Sequence, residues 1–149
     1  MSSTFTCPIR INKYNNPTND GTIAPDNTGA AQCTVQAAIV GGEETAVVIP
    51  AGSIISNVQT YVTAVGAGSA ANVDVDGETV GTVSDAAGVN AITFGTGATA
   101  VGLLANVGTA DVAVTYTPGG SAEGFLSVTY TPRNADGTIT PYGSGYTNN

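Results

Sequence analysis

Residues 47–65, VVIPAGSIISNVQTYVTAV, constrain the fold more than any other stretch, because turn chemistry and a two-residue hydrophobic period coincide there. Pro50 presets φ for the second position of a tight turn and Gly52 suits the fourth. Ile49-Pro50-Ala51-Gly52 is therefore expected to form a type I turn that closes one strand and opens the next. Beyond it Ile54, Val58, Val62 and Ala64 share one face, interrupted by Ser56 and Thr60. Asn57, Gln59 and Thr63 fall on the other. One side of this strand is expected to meet a core and the other to meet water or a partner, and none of its residues is suited to catalysis.

Composition extends this reading to the whole chain. Gly, Ala, Thr and Val dominate, and no run carries the i, i+3, i+4, i+7 spacing of an amphipathic helix, so an all-β chain is expected. Its 149 residues suit one domain. No apolar run approaches the roughly 20 residues that span a bilayer, and MSSTFTCPIR lacks the layout of a secretory signal. Cys7 and Cys33, the only cysteines, make neither a disulfide framework nor a four-ligand metal site, and they read as small buried or arm residues. Without histidine a zinc site would need mixed carboxylate ligands, so no metal or other cofactor is expected.

Charge separates the chain into three parts. Between Gly29 and Pro132 lie Glu43, Glu44, Asp74, Asp76, Glu78, Asp85, Asp111 and Glu123 and no basic residue, which accounts for the net charge of −8. Arg10 and Lys13 balance Asp20 and Asp26 on one side, and Arg133 balances Asp136 on the other. An acidic body between neutral ends repels phosphate backbones, which argues against nucleic-acid binding. The expected organisation is an N-terminal arm over 1–28, a β body over 29–132 and a C-terminal tail over 133–149. In the arm Phe5, Ile9, Ile11 and Tyr14 are spaced among polar and turn residues, suited to ordering on another surface.

Within the body, Cys33, Val35, Ala37 and Ile39 mark the first strand and Thr45 to Ile49 the second. Asn72-Val-Asp-Val-Asp-Gly77 imitates the opening of a calcium loop, but position twelve is Val83 and neither flank is helical. Asp76-Gly77 reads instead as a two-residue type I′ turn joining Val73–Val75 to Val80 and its neighbours. Asp74 and Asp76, without a cleft or third group, are an acidic patch. Asp85–Gly88 is expected to turn, and Val89–Phe94 to form one short strand. Residues 98–107 fit a strand through Val101, Leu103 and Ala105, or a helix through Val101, Leu104 and Ala105; Gly102 disfavours the helix by about 1 kcal/mol, so a strand is expected.

Val112–Pro118 and Leu126–Pro132 share VTYTP, and the glycine-rich segment between them is expected to make them a hairpin with Tyr116 and Tyr130 at opposite ends. A second echo links Asp136-Gly-Thr-Ile-Thr-Pro141 with Asp20-Gly-Thr-Ile-Ala-Pro25, read as a shared turn-then-extended module. Eight or nine short strands in all suit two packed sheets.

Ile49-Pro-Ala-Gly-Ser-Ile-Ile, the alternating strand after it and Val73-Asp-Val-Asp-Gly77 resemble the capsid decoration, or cement, proteins of tailed bacteriophages, over roughly residues 45–80. The resemblance implies a β-sandwich or jelly-roll body, commonly a homotrimer, on the outer capsid surface of the virion after synthesis in the host cytoplasm. It further implies that the chain bridges neighbouring subunits of the major capsid protein, and it carries no catalytic residues. On that reading Phe5, Ile9, Ile11 and Tyr14 of the arm bury on the capsid while Arg10 and Lys13 meet capsid carboxylates. Asn57, Gln59 and Tyr61 then offer a subunit-facing surface. The alternative is a receptor- or carbohydrate-binding head of a fibre or tail, using Tyr61, Tyr116 or Tyr130 beside Asn and Gln, although no Trp supplies a stacking platform. An enzyme is the weakest reading: there is no His, no nucleophile elbow and no phosphate loop.

Overall fold

A computed structural model describes residues 32–66 and 70–138. Nine strands and one helix follow in the order β1 (Cys33–Ile39), β2 (Thr45–Ile49), β3 (Ile54–Ala64), β4 (Ala70–Val75), β5 (Glu78–Ser84), β6 (Gly88–Ala91), β7 (Thr93–Phe94), α1 (Ala98–Ala105), β8 (Val112–Tyr116) and β9 (Glu123–Thr131). They build two antiparallel sheets, the first ordered β1-β9-β3-β6 and the second β2-β8-β4-β5-β7. The pairings nest: β1 with β9, β2 with β8, β3 with β6, β4 with β5. This is a long hairpin rolled into two layers, the jelly-roll arrangement, with β7 and α1 inserted between β6 and β8.

Period-two alternation explains the core. Cys33 and Ile39 of β1 are buried while Thr34, Gln36 and Ala38 are exposed, and β2 alternates likewise through Thr45, Val47 and Ile49. Ile55, Val58, Leu126, Val128 and Tyr130 from the first sheet face Val73, Val75, Val80, Val83, Val114 and Tyr116 from the second. Branched and aromatic side chains suit this pleated interior, and each contributes about 1.5–3 kcal/mol on burial. In β3 a bulge at Ser56 resets the phase, so Ile55 is the buried residue and Ile54 is half-covered. Thr60 joins the buried face, its hydroxyl donating to the Ser84 carbonyl at 2.9 Å.

The Asp76-Gly77 turn is as expected: φ is +52° and +79° at the two central residues, the signature of type I′, and it joins β4 to β5. The turn after β2 differs from expectation by one residue. Ser53 N–H donates to the Pro50 carbonyl at 3.3 Å and Gly52 has φ +73°, so Ala51 and Gly52 are the central pair, and a positive φ at the second of them makes a type II turn rather than type I.

This turn is a tertiary junction. Gly52 N–H donates to the Gly108 carbonyl at 2.7 Å, Val107 N–H to Ser53 at 3.1 Å, and Ala51 N–H to the Asp111 carboxylate at 3.0 Å. Arg133, the one basic side chain among the described residues, donates from Nε to the Gly52 carbonyl at 2.7 Å and from a terminal nitrogen to the Ala105 carbonyl. It thereby places positive charge at the C-terminus of α1, where free carbonyls and the helix dipole favour it. Arg133→Ala should cost roughly 2 kcal/mol, since charged hydrogen bonds are worth about 1.5–3 kcal/mol each. Arg133→Lys should recover less than half of that loss, because one ammonium lacks the guanidinium's fork. Urea midpoints of the three proteins measure this, and an equally stable lysine variant would count against it.

Three strand assignments are corrected. The two VTYTP strands do not pair: Tyr116 of β8 lies opposite Thr45 and Val73, and Tyr130 of β9 opposite Cys33 and Ile55, in different sheets. Rolling a hairpin sends sequence neighbours to opposite layers, and the 117–122 connection crosses between them, held by Gly119 N–H donating to the Asp85 carboxylate at 3.0 Å. Residues 89–94 are not one strand, because Ala91 pairs in the first sheet and Thr93 in the second. The chain changes layer at Ile92, whose N–H donates to Val58 at 2.9 Å. Residues 98–105 are helical rather than extended. The helix lies against β5 and β3 and turns Ala100, Leu103 and Leu104 toward the core. Val101 is left 51% exposed and Gly102 faces open space, so tertiary burial outweighs the glycine's local cost.

Cys33 is disulfide-bonded, which corrects its reading as a plain small residue; Cys7, the other cysteine of the sequence, lies outside the described residues. Residues 133–138 lie along the body, where Gly137 N–H donates to Asn134 at 2.7 Å and the Asp136 carboxylate accepts from Thr138 N–H at 2.9 Å. The side-chain and backbone hydrogen bonds from Thr138 hold the Asp136 carboxyl below its ordinary value. The later half of the Asp-Gly echo therefore begins as a turn, while its copy at Asp20–Pro25 lies outside the described residues.

Candidate functional site

The outer face of the first sheet gathers the residues of β1, β9, β3 and β6 that alternation turns away from the core. Register sets them in rows. Ala38 lies opposite Phe125, Phe125 opposite Tyr61, and Tyr61 opposite Val89, an apolar row across all four strands. Phe125 is 51%, Tyr61 38% and Val89 63% exposed. The next row is Gln36, Ser127, Gln59 and Ala91, and the one beyond is Thr34, Thr129 and Asn57.

The polar rows are tied together. Thr34 and Thr129 hydroxyls lie 3.1 Å apart, Gln36 Nε2 donates to Ser127 Oγ at 3.5 Å, and Tyr61 Oη donates to Gln59 Oε1 at 3.2 Å. The Ser56 hydroxyl donates to the Thr129 carbonyl at 3.1 Å across the bulge. The four strands of this sheet hold one charged residue among them, Glu123, at the first position of β9. In the second sheet, by contrast, Asp74 and Glu78 lie on paired strands with Asp76 between them, and the Asp74 carboxylate accepts from the Thr79 hydroxyl at 2.6 Å.

Asn57, Gln59 and Tyr61 are thus brought together on one face, with Asn57 and Gln59 half-buried between neighbouring strands. Ala38, Phe125 and Val89 complete the face and were missed. The alternation that turns Leu126, Val128 and Tyr130 inward also turns Phe125 outward, which is the signal that would have found it. Tyr116 and Tyr130 belong to the core, so a ligand platform built on either is excluded. The arm residues Phe5, Ile9, Arg10, Ile11, Lys13 and Tyr14 lie outside the described residues.

Two buried phenols act in the fold. Burial first, and then the nearby Asp85 charge, push the Tyr116 phenol up to about 12. Burial alone raises Tyr130. Among the described residues no group of three or more His, Cys, Asp or Glu could hold a metal ion, and no helix is long and apolar enough to cross a membrane. What the first sheet's outer face offers is contact: an aromatic row at one end, polar rows beside it and a single carboxylate among its strands. Comparison with known proteins finds no family model that matches the sequence, and no curated protein or solved structure that matches it.

Proposed function

We propose that the chain is a structural protein of a tailed-phage virion that binds the outer capsid surface and cements neighbouring major capsid protein subunits. The observation that carries this reading is the register of β1 on β9: Cys33 lies opposite Tyr130, so the segments before β1 and after β9 join the body side by side at one pole. Two extensions rooted together suit lashing to a single surface. The jelly-roll body supports the same reading, since that architecture recurs in viral shell domains. The acidic body suits the side of a shell away from DNA.

In this mechanism Phe5, Ile9, Ile11 and Tyr14 bury on capsid subunits, at about 1.5–3 kcal/mol each before ordering costs. Arg10 and Lys13 meet capsid carboxylates, and many copies on one shell add avidity. Mixing the purified chain with undecorated capsids should give stoichiometric binding and a higher disruption temperature. A Phe5→Ser, Ile9→Ser, Ile11→Ser, Tyr14→Ser variant should lose at least tenfold in affinity. No capsid affinity, together with binding on a glycan array, would favour a receptor- or carbohydrate-binding head. Tyr61 donating to Gln59 on an open sheet face is the feature that reading would use.

A further inference from the structure

We propose that the outer face of the first sheet is a self-association surface whose occupant is the same face of a second copy of this chain. The row Ala38, Phe125, Tyr61 and Val89 runs unbroken across the sheet, with Phe125 and Tyr61 as a directly opposed aromatic pair. Val40 and Val65, both exposed, follow β1 and β3 at the same end of the sheet and extend the apolar ground. Aromatic enrichment with depletion of charge distinguishes the core of a protein–protein interface from ordinary surface.

Charge selects the occupant. The described residues hold Glu43, Glu44, Asp74, Asp76, Glu78, Asp85, Asp111, Glu123 and Asp136 against Arg133 alone. Two copies meeting through loops or through the second sheet would bring acid against acid. Two copies meeting through the first sheet bring together a face whose single carboxylate, Glu123, stands at the rim. A basic partner would be drawn to the acids elsewhere, whereas a neutral face complements itself.

Chemistry and area agree. Gln36, Gln59, Asn57 and the Thr and Ser hydroxyls each both donate and accept, so the polar rows match their own kind under a two-fold axis. Four strands at about 4.8 Å spacing and roughly seven residues at about 3.3 Å span some 20 by 25 Å. Two such faces cover roughly 1,000 Å², the lower bound for a specific interface, which suits a dissociable contact. Face-to-face sheets would stack about 10 Å apart with the aromatic rows interleaved.

The proposal stands apart from the capsid reading: a chain that ignores capsids still has this face. Sedimentation equilibrium of the full chain from 1 to 500 µM, in 0.05 and 0.5 M NaCl, tests it. The expected result is concentration-dependent association that tightens in high salt, as screening weakens the repulsion between copies at −8. A Tyr61→Asp, Phe125→Asp variant, altered only at exposed positions, should raise Kd at least 100-fold while its circular dichroism matches the parent. Val48→Asp, on the outer face of the second sheet, should leave Kd within threefold. A chain monomeric at 500 µM overturns the proposal, as does association weakened by salt, a Tyr61/Phe125 variant that associates like the parent, or equal disruption by Val48→Asp. Glycan binding at Tyr61 by a persistently monomeric chain overturns it in favour of a sugar site.

Discussion

Gly52→Ala is expected to remove most of the protein's stability, by about 4 kcal/mol or more, at the upper end of what single substitutions cost. Gly52 has φ +73°, which costs an L-residue roughly 1–2 kcal/mol by itself. The larger part is steric: a Cβ there would lie 1.8 Å from the Asn134 carbonyl oxygen, 2.8 Å from its carbon and 3.2 Å from Gly137 N. All three are backbone atoms, so no side-chain rotation gives relief. The 133–138 segment must lift, which breaks the Arg133 bond to the Gly52 carbonyl and strains the Gly52 bond to Gly108. Gly77→Ala is the control, because φ is also positive there, at +79°, but nothing lies within 4 Å of the added carbon. Urea unfolding should show Gly52→Ala less stable than Gly77→Ala by at least about 2 kcal/mol, a gap set by the steric term. Equal losses would mean that backbone conformation, rather than contact with the tail, governs the site.

Tyr116 separates size from polarity in the core. It is fully buried, so Tyr116→Ala should cost about 3–5 kcal/mol through lost burial and the cavity left behind. Tyr116→Phe should be neutral or stabilising, because the hydroxyl has no hydrogen-bond partner among the described residues and its removal spares a desolvation penalty. Alkaline pH sharpens the contrast. Burial and the Asp85 charge raise the phenol from 10.0 to about 12, so the folded state favours the neutral form. That contribution is complete below pH 10 and is lost as pH rises toward 12. The parent should therefore lose stability across that window, and Tyr116→Phe should lose less. Tyr130, raised by burial in the same direction, leaves the variant some residual slope. Urea midpoints at pH 8, 10 and 11.5 measure both effects; parallel pH profiles for the two proteins would rule out Tyr116 as the source.

Local chemistry accounts for the parts of the fold that are legible in the sequence. Alternation through Cys33, Val35, Ala37 and Ile39 locates β1, the stretch Thr45–Ile49 coincides with β2, and Asp76-Gly77 specifies its own turn. The same period two places Asn57, Gln59 and Tyr61 on one outward face. It says nothing of what stands beside them: Phe125 and Val89 come from strands whose positions depend on pairing, and Phe125 is 64 residues from Tyr61.

The stretch from Val47 to Val65 shows the division most closely. Its sequence determined two strands, a turn and an outward polar face, because those follow from side-chain alternation and from the backbone preferences of Pro and Gly. The tertiary structure decided the rest. Gly52 rather than Ala51 closes the turn's second central position, where the 133–138 segment presses on it. Residues 98–105 coil because Ala100, Leu103 and Leu104 find the core. The VTYTP strands part into opposite sheets because β8 and β9 each pair with two distant strands. These outcomes turn on competition among long-range pairings, each weighed against the entropy of closing a loop, and no local window of sequence contains that balance.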